Sequence, residues 1–270
     1  MKRMYNFLRF FLPALVFLAN AACADSGKDK IFTEYEVKEF SFMGREAKIV
    51  FPETPGNDRN WVWRARFWGH EPQVDKALLS KGFHLVYVDV AGLYGNHEAV
   101  EIWDRFYKFI TGKYNLNPKA VLEGMSRGGL IIYNWASQNT DKVLCIYADA
   151  PVCDIKSWPG GLFNGTGTPG SWIECLRVYN LDEKSVMDFE GIPLNTCVNV
   201  AKAGIPVIHV CGDSDEVVPY EENTELLAKK FREAGGEIKI ILKEGVGHHP
   251  HSLEDPSPIV DFILSNIRNQ

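Results

Sequence analysis

Short apolar runs alternate with longer amphipathic segments along most of this chain. Eight runs have the length and the aromatic or β-branched content of strands, and they cover residues 35–42, 46–51, 60–67, 83–90, 120–125, 143–150, 205–213 and 237–245. Five segments repeat apolar residues at helical spacing, at residues 71–82, 100–114, 129–139, 222–236 and 258–269. Runs such as FHLVYVDV are apolar throughout, which is typical of strands covered on both faces of a parallel sheet. The order predicts one doubly wound α/β domain with helices on both faces of a mostly parallel sheet.

One long segment interrupts this alternation. Residues 152–200 separate two predicted core strands and are rich in glycine, proline and tryptophan, as in SWPGGLFNGTGTPGSW. A loop of this length inside a compact domain usually has a functional role. Open α/β sheets bind ligands at the carboxyl ends of their strands. We therefore expect residues of about 152–200 to form a lid insertion over that edge of the sheet.

The first 24 residues differ in composition from the rest of the chain. Lys2 and Arg3 precede a short apolar run that ends at the small residues Ala22 and Ala24. A charged start, an apolar centre and a small-residue exit are the three parts of a secretory signal peptide. We therefore expect a signal peptide at residues 1–24, a mature domain at residues 25–270, and an exported protein that is periplasmic or secreted.

Two other fates of the N-terminal segment stay open. A lipid anchor at Cys23 is one, although Asn20 stands where a lipidation motif prefers an aliphatic residue. Retention as a membrane anchor is the other, although the run is short and is interrupted by Arg9 and Pro13. Cleavage would change the net charge from −6 to −9, because it removes three basic residues and no acidic ones. Such an acidic chain argues against a nucleic-acid partner.

The cysteines divide into two groups. Cys145 and Cys211 lie in apolar runs and are predicted to be buried thiols. Cys153, Cys175 and Cys197 fall in the expected lid, where one disulfide is compatible with an oxidising compartment. The chain has no CxxC or HExxH spacing, so we expect neither a metal site nor a cofactor.

The stretch LEGMSRGG carries the clearest chemical signal. It contains the pattern G-x-S-x-G at Gly124, Ser126 and Gly128, between a predicted strand and a predicted helix. This context is that of a nucleophile elbow, in which a strained turn projects a serine from the sheet. The Arg127 N–H and the start of the following helix would then face a developing oxyanion. Ser126 is thus the candidate nucleophile.

A nucleophilic serine needs a base, and a base needs an orienting acid. The loop after one later strand reads CGDSDEVVP, which offers Asp215 and its rival Asp213. The loop after the last strand reads GVGHHPHS, which offers His248 and its rival His249. The order serine, acid, histidine is that of the elbow-containing hydrolases. Spacing alone does not separate each residue from its rival.

The motifs GMSRGG, GDSDEVVP and GVGHH, each after a strand, resemble those of the α/β-hydrolase superfamily, including the prolyl-oligopeptidase and esterase-like domains. The resemblance implies that the acid stands three residues past the loop glycine and that the base follows the last glycine, which selects Asp215 and His248. It also implies a second oxyanion N–H from the loop after the third strand. That loop reads WRARFWGH without the usual His-Gly pair, and the backbone of Arg66 or Phe67 is the expected donor.

The residue after the nucleophile is an arginine, as in the elbow of glucuronoyl esterases, which this short motif resembles. Arg127 would stabilise an oxyanion or bind a substrate carboxylate. The structural alternative is a salt bridge to a neighbour such as Glu123. Tryptophans in the expected oxyanion loop and lid, among them Trp158, can pack on a sugar ring but can equally be part of the hydrophobic core. These tryptophans are Trp61, Trp63, Trp68, Trp158 and Trp172.

These features predict an exported serine hydrolase with Ser126 as nucleophile, His248 as base and Asp215 as orienting acid. The expected substrate is a small-molecule or oligosaccharide ester, either an O-acetyl or a uronate ester, cleaved without a cofactor. One alternative is a serine peptidase of the prolyl-oligopeptidase type. A second, from a different class, is a binding protein built on an inactive hydrolase fold.

Overall fold

A computed structural model describes residues 29–268. Its centre is one eight-stranded sheet, and the strands are β1 (Glu36–Phe42), β2 (Arg45–Phe51), β3 (Trp61–Arg64), β4 (His84–Val88), β5 (Ala120–Met125), β6 (Val143–Asp149), β7 (Val207–Gly212) and β8 (Ile238–Lys243). The predicted signal peptide at residues 1–24 and the lipid site at Cys23 lie outside the described residues. In the part of the chain that is described, no helix is long and apolar enough to span a membrane.

The strands follow the order β1-β2-β4-β3-β5-β6-β7-β8 across the sheet. The β1 and β2 strands pair antiparallel, as do β2 and β4, and every later pair is parallel. All residues of β4 through β7 are buried, as expected for parallel strands covered on both faces. The predicted doubly wound, mostly parallel fold is therefore confirmed.

Helices cover both faces of the sheet, and they are α1 (Gln73–Leu79), α2 (His97–Tyr114), α3 (Gly128–Ala136), α4 (Pro169–Tyr179), α5 (Pro193–Lys202), α6 (Thr224–Glu233) and α7 (Ser257–Arg268). One core joins α2, α3, α5 and α6 to one sheet face, and a second core joins α1 and α7 to the other. Side chains alternate between the two: Trp61 and Trp63 enter the first core, and Val62 enters the second.

The segment expected to be a lid is more regular than its composition suggests. Residues 152–200 contain all of α4 and most of α5, and the buried side chains of α5 pack into the core with α3 and α6. The structure thus places residues 193–200 in the ordinary helix layer between β6 and β7. The remainder packs against the loops beside the candidate site, for example through the Thr166 N–H, which donates to the Glu216 carbonyl at 2.7 Å.

The disulfide that the sequence left open among the lid cysteines is not formed in residues 29–268. All five cysteines within residues 29–268 are free and buried. Cys153, Cys175 and Cys197 contribute to the first core as apolar side chains rather than as a covalent link. Cys145 and Cys211 are buried thiols in β6 and β7, as predicted.

Candidate active site

Ser126 lies on a sharp turn between β5 and α3, with a backbone φ of +50°. Its N–H donates to the Asp149 carbonyl at 2.8 Å, and its own carbonyl accepts from the Gly129 and Val152 N–H groups at 2.9 Å. These hydrogen bonds fix the strained residue to the end of β6. The turn therefore has the geometry of a nucleophile elbow.

Two glycines make this turn sterically possible. A Cβ atom on Gly124 would lie 2.8 Å from the Gly128 carbonyl oxygen, and one on Gly129 would lie 2.6 Å from the Pro151 Cβ. Real Cβ atoms do not approach other atoms so closely, so both positions exclude other residues. Gly128 is less constrained, since its nearest contact would be the Arg66 Cβ at 3.4 Å.

The structure brings the predicted triad residues into one hydrogen-bonded chain. The Ser126 Oγ lies 3.0 Å from His248 Nε2, and His248 Nδ1 lies 2.7 Å from Asp215 Oδ2. The other Asp215 oxygen accepts from the Val217 and Val218 N–H groups at 2.9 and 2.8 Å. With Nδ1–H donating to the carboxylate, Nε2 presents its lone pair to the serine hydroxyl. This arrangement can activate Ser126 for attack on an acyl carbon.

Neither rival residue joins this chain. The exposed Asp213 accepts from the Gly245 N–H at 2.8 Å and from the Ser214 hydroxyl at 2.9 Å, and so shapes the loop. His249 is exposed and meets His248 edge to face, with 5.0 Å between ring centroids. The choice of Asp215 and His248 thus agrees with the geometry.

The loop after β3 faces the elbow and is held from behind by Arg64. The Arg64 Nε donates to the carbonyls of Arg66 and Phe67 at 3.2 and 3.1 Å. In a trans peptide the N–H points opposite to the carbonyl, so the Phe67 N–H points away from Arg64. Phe67 has a φ of +54° and lines the same pocket as Ser126. Phe67 is therefore our candidate for the second oxyanion donor, and Arg66 stays the alternative.

Arg64 itself was not among the predicted site residues. Its guanidinium is buried between Asp75 and Glu123, and its Nη1 lies 2.9 Å from Glu123 Oε1. Burial, followed by the negative charge of Asp75, raises the pKa of Glu123 well above its usual value. The net charge of this buried cluster is therefore close to zero, because the Arg64 cation faces the Asp75 carboxylate and Glu123 is shifted toward its neutral form. The sequence signal was a charged residue inside each of two adjacent apolar strands, in register as Arg64 and Glu123.

This pairing excludes the proposed salt bridge from Arg127 to Glu123. The half-buried Arg127 guanidinium lies 5.4 Å from the centroid of the Tyr94 ring, and residues 29–268 include no ion pair to it. Burial, and after it the adjacent Arg66 guanidinium, lowers the pKa of Arg127. The Arg66 and Arg127 side chains line a second, small pocket next to the elbow together with Tyr94, and their two positive charges favour an anionic group there.

The tryptophans fall into two groups. Trp61 and Trp63 are fully buried, and Trp172 is buried in the same core, so these three are structural. Trp158 is half-buried and stacks on Tyr94, the ring that carries Arg127, with 6.2 Å between centroids. Of these five, Trp68 is the one that lines the Ser126 pocket, and Trp158 packs against the edge of the first core.

A second histidine–carboxylate pair stands beside the triad. The buried His251 Nδ1 lies 2.8 Å from Asp149 Oδ1 at the end of β6. With His70 and His249, it lines a cavity of about 390 Å³ that also contains Ser126. Partial burial, and then the neighbouring His251 imidazole, lowers the pKa values of His70 and His249. The sequence offered no local signal for this cluster, since His70 comes from a different loop.

Comparison with known proteins agrees with this geometry. The model of the family described as "Prolyl oligopeptidase family" matches residues 80–269, more than two thirds of the chain. The chain belongs to the prolyl oligopeptidase family. No curated protein gives a match in sequence.

Solved structures show the same α/β-hydrolase fold. A puromycin-hydrolysing peptidase from Mycobacterium tuberculosis superposes with a TM-score of 0.65 at 15% identity, over 85% of this chain and 37% of that one. A dipeptidyl peptidase 4 from Porphyromonas gingivalis gives 0.65 at 14% identity, over 86% and 35%. An acylaminoacyl peptidase from Pyrococcus horikoshii gives 0.60 at 15% identity, over 79% and 38%. This prolyl oligopeptidase family member therefore spans less than half the length of each.

Proposed function

We propose that this protein is a serine peptidase that cleaves peptide or aminoacyl amide bonds through an acyl-enzyme. The observation that carries the proposal is the hydrogen-bonded chain Ser126–His248–Asp215 in a chain that belongs to the prolyl oligopeptidase family. The three similar structures reported above are peptidases by name, which favours an amide over an ester. A cavity of about 390 Å³ is within the size range of small-ligand sites.

In the proposed reaction the Ser126 Oγ attacks the substrate carbonyl while its proton passes to His248 Nε2. The oxyanion is held by the N–H groups of Arg127 and Phe67. The imidazolium then gives its proton to the leaving nitrogen, the C–N bond breaks, and an acyl ester remains on Ser126. Water attacks that ester through the same histidine and releases the acid. Asp215 keeps His248 in the required tautomer throughout.

An ester bearing an acidic sugar is the second candidate, and a specific feature favours it. Arg127 lies on Tyr94 next to Arg66 and forms no ion pair within residues 29–268, although Glu174 is close enough to raise its pKa; the same Tyr94 ring stacks on the half-buried Trp158. A guanidinium can bind a uronate, and an indole face can pack on a sugar ring. The resemblance of the Ser-Arg elbow to glucuronoyl esterases points the same way.

One substrate panel separates the two candidates. Aminoacyl and prolyl p-nitroanilides represent amides, and acetylated and methyl-uronate oligosaccharides represent esters, with Ser126→Ala as the matched inactive control. A peptidase should give kcat/KM values on its best anilide at least equal to those on the oligosaccharides. Turnover of uronate esters with no detectable anilide cleavage would overturn the peptidase proposal in favour of the esterase. Labelling of the serine with no turnover of either class would favour neither.

We propose in addition that the protein is exported, from the charged start, the apolar run and the small residues Ala22 and Ala24. Mass spectrometry of the protein from its native cells should find an N-terminus near Asp25 or a lipid on Cys23. An intact Met1 on a cytosolic protein would refute export.

A further inference from the structure

Three histidines outside the triad form the densest group of metal-ligating side chains in residues 29–268. One ring nitrogen from each of His70, His249 and His251 lies within 4.8 Å of the other two. His70 follows β3, whereas His249 and His251 follow β8, so the group joins the two loops that border the Ser126 pocket.

His251 already has the environment of a metal ligand. Its Nδ1–H donates to Asp149 at 2.8 Å, which leaves Nε2 as the atom free to bind. Asp149 is fixed in turn by the Ser252 N–H and the Tyr147 hydroxyl, both at 2.8 Å. A carboxylate that accepts from the distal nitrogen orients an imidazole and raises its basicity, as in carboxylate–histidine–zinc arrangements.

The neighbouring His248 is not available to such a site. Both of its ring nitrogens are engaged, one by Asp215 and the other by Ser126. The three remaining histidines therefore form a set separate from the triad.

We propose that His70, His249 and His251 bind one Zn²⁺ ion at the mouth of the catalytic pocket and that the bound ion inhibits hydrolysis. In tetrahedral sites the Zn–N distance is about 2.0–2.1 Å, which sets the ligand nitrogens about 3.4 Å apart. His70 and His249 are exposed, so rotation of these two rings can close the difference from 4.8 Å. The ion would tie the loop after β3 to the loop after β8 and narrow the cavity that leads to Ser126.

Binding can be measured without any substrate. Apo-protein prepared with a chelator is titrated with Zn²⁺ by calorimetry, and Co²⁺ is used as a visible-absorption probe of tetrahedral geometry. We expect one ion per chain, and more than about 100-fold weaker binding in His70→Gln and in His249→Gln, since each loses a direct ligand. His97→Gln is the matched control, because His97 is 82% exposed at the start of α2 and is not one of the residues that line this pocket.

Turnover of a p-nitrophenyl ester supplies the second measurement. Zn²⁺ should inhibit the wild type and His97→Gln reversibly, with activity restored by EDTA, and should inhibit His70→Gln at least 10-fold less effectively. No binding, or equal affinity in all four proteins, would overturn the site. Binding with undiminished turnover would overturn the inhibitory role. Neither the absence of Zn²⁺ binding nor binding without inhibition bears on the peptidase proposal, because that proposal is tested on the metal-free protein.

Discussion

Arg127 lines a small pocket beside the nucleophile elbow, next to the pocket that contains Ser126. It stands next to the nucleophile, lies on the Tyr94 ring, and shares its surroundings with Arg66. Glu123 pairs with Arg64 instead, and the nearby Glu174 offsets the positive charge of Arg127 without forming an ion pair with it in residues 29–268. A substrate carboxylate placed there would gain a charge-assisted hydrogen bond of about 1.5–3 kcal/mol.

Removal of the Arg127 charge should therefore lower kcat/KM more for substrates with an acidic group than for neutral esters. Arg127→Met keeps the bulk and the backbone N–H, so we expect about a 10- to 150-fold loss of kcat/KM on substrates with a carboxylate or uronate group, and a smaller loss on p-nitrophenyl acetate. Steady-state kinetics on the two classes measure it, with the exposed Arg177→Met as control. Equal losses on both classes would show that Arg127 acts on the oxyanion and does not select substrates.

At the scale of elements, the β3–β5 pair determines the position of the oxyanion loop. Arg64 on β3 and Glu123 on β5 are in register, and Arg64 also bonds Asp75 and three carbonyls of the loop, those of Arg66, Phe67 and His70. The raised pKa of Glu123 favours its neutral form, so Asp75 is the main countercharge. We therefore expect substitutions of Arg64 and of Glu123 to lower the free energy of unfolding by different amounts.

Arg64→Met leaves a buried carboxylate without its partner, which typically costs about 3–5 kcal/mol. The raised pKa shifts Glu123 toward its neutral form, and Glu123→Gln puts an uncharged amide of the same shape there, so we expect a cost below about 1.5 kcal/mol. Urea unfolding followed by circular dichroism gives both free energies. Equal destabilisation by the two variants would mean that Glu123 is ionised in the folded protein.

Strands and helices whose apolar residues repeat at a regular spacing could be predicted from the sequence. Helices flanked by glycine and proline could not. The apolar runs gave all eight strands and five helices, because burial on one or both faces leaves a period in the sequence. Both α4 and α5 were missed, although each has proline at its first turn, a common helix start. The glycines and prolines that flank these two helices are typical of loops. Only the packing of α5 against α3 and α6 shows that it is a core helix.

The residues of the candidate site also divide into those that the sequence could predict and those that it could not. Ser126, Asp215 and His248 each follow a strand in a fixed order, so sequence could place them at one sheet edge. Arg64 acts through backbone carbonyls, and His70 meets His251 only in the folded chain. The contact of His70 with His251 joins distant segments and leaves no local pattern, whereas for Arg64 the one signal was a charged residue inside an apolar strand. The tryptophans were ambiguous for the same reason, since the core and a sugar platform both use them.

At the scale of the whole molecule, the buried polar groups of the core make folding depend on pH. His209 on β7 is fully buried between the Tyr133 hydroxyl at 2.6 Å and the Thr224 hydroxyl at 2.9 Å. Burial lowers the pKa of His209 to about 3. In the unfolded chain a histidine has a pKa of about 6.5, so below that pH the unfolded state binds the proton more readily.

The free energy of unfolding should therefore fall as the pH drops below about 6.5, and His209 alone should account for about 2–3 kcal/mol between pH 7 and pH 4.5. His209→Gln removes the titrating group, so its stability should change less over this range than that of the wild type. Urea unfolding at four pH values measures both slopes. Parallel curves for the two proteins would show that His209 does not contribute to the acid sensitivity.

The central claim is that Ser126, activated by His248 and Asp215, forms a covalent acyl-enzyme. Intact-mass analysis after reaction with a fluorophosphonate probe, followed by peptide mapping, tests it most directly. We expect one label per chain on Ser126, no label in Ser126→Ala, and labelling slowed by a factor on the order of 10⁴ in Asp215→Asn but not in Asp213→Asn. A label on another residue, or unchanged labelling in Asp215→Asn, would contradict it.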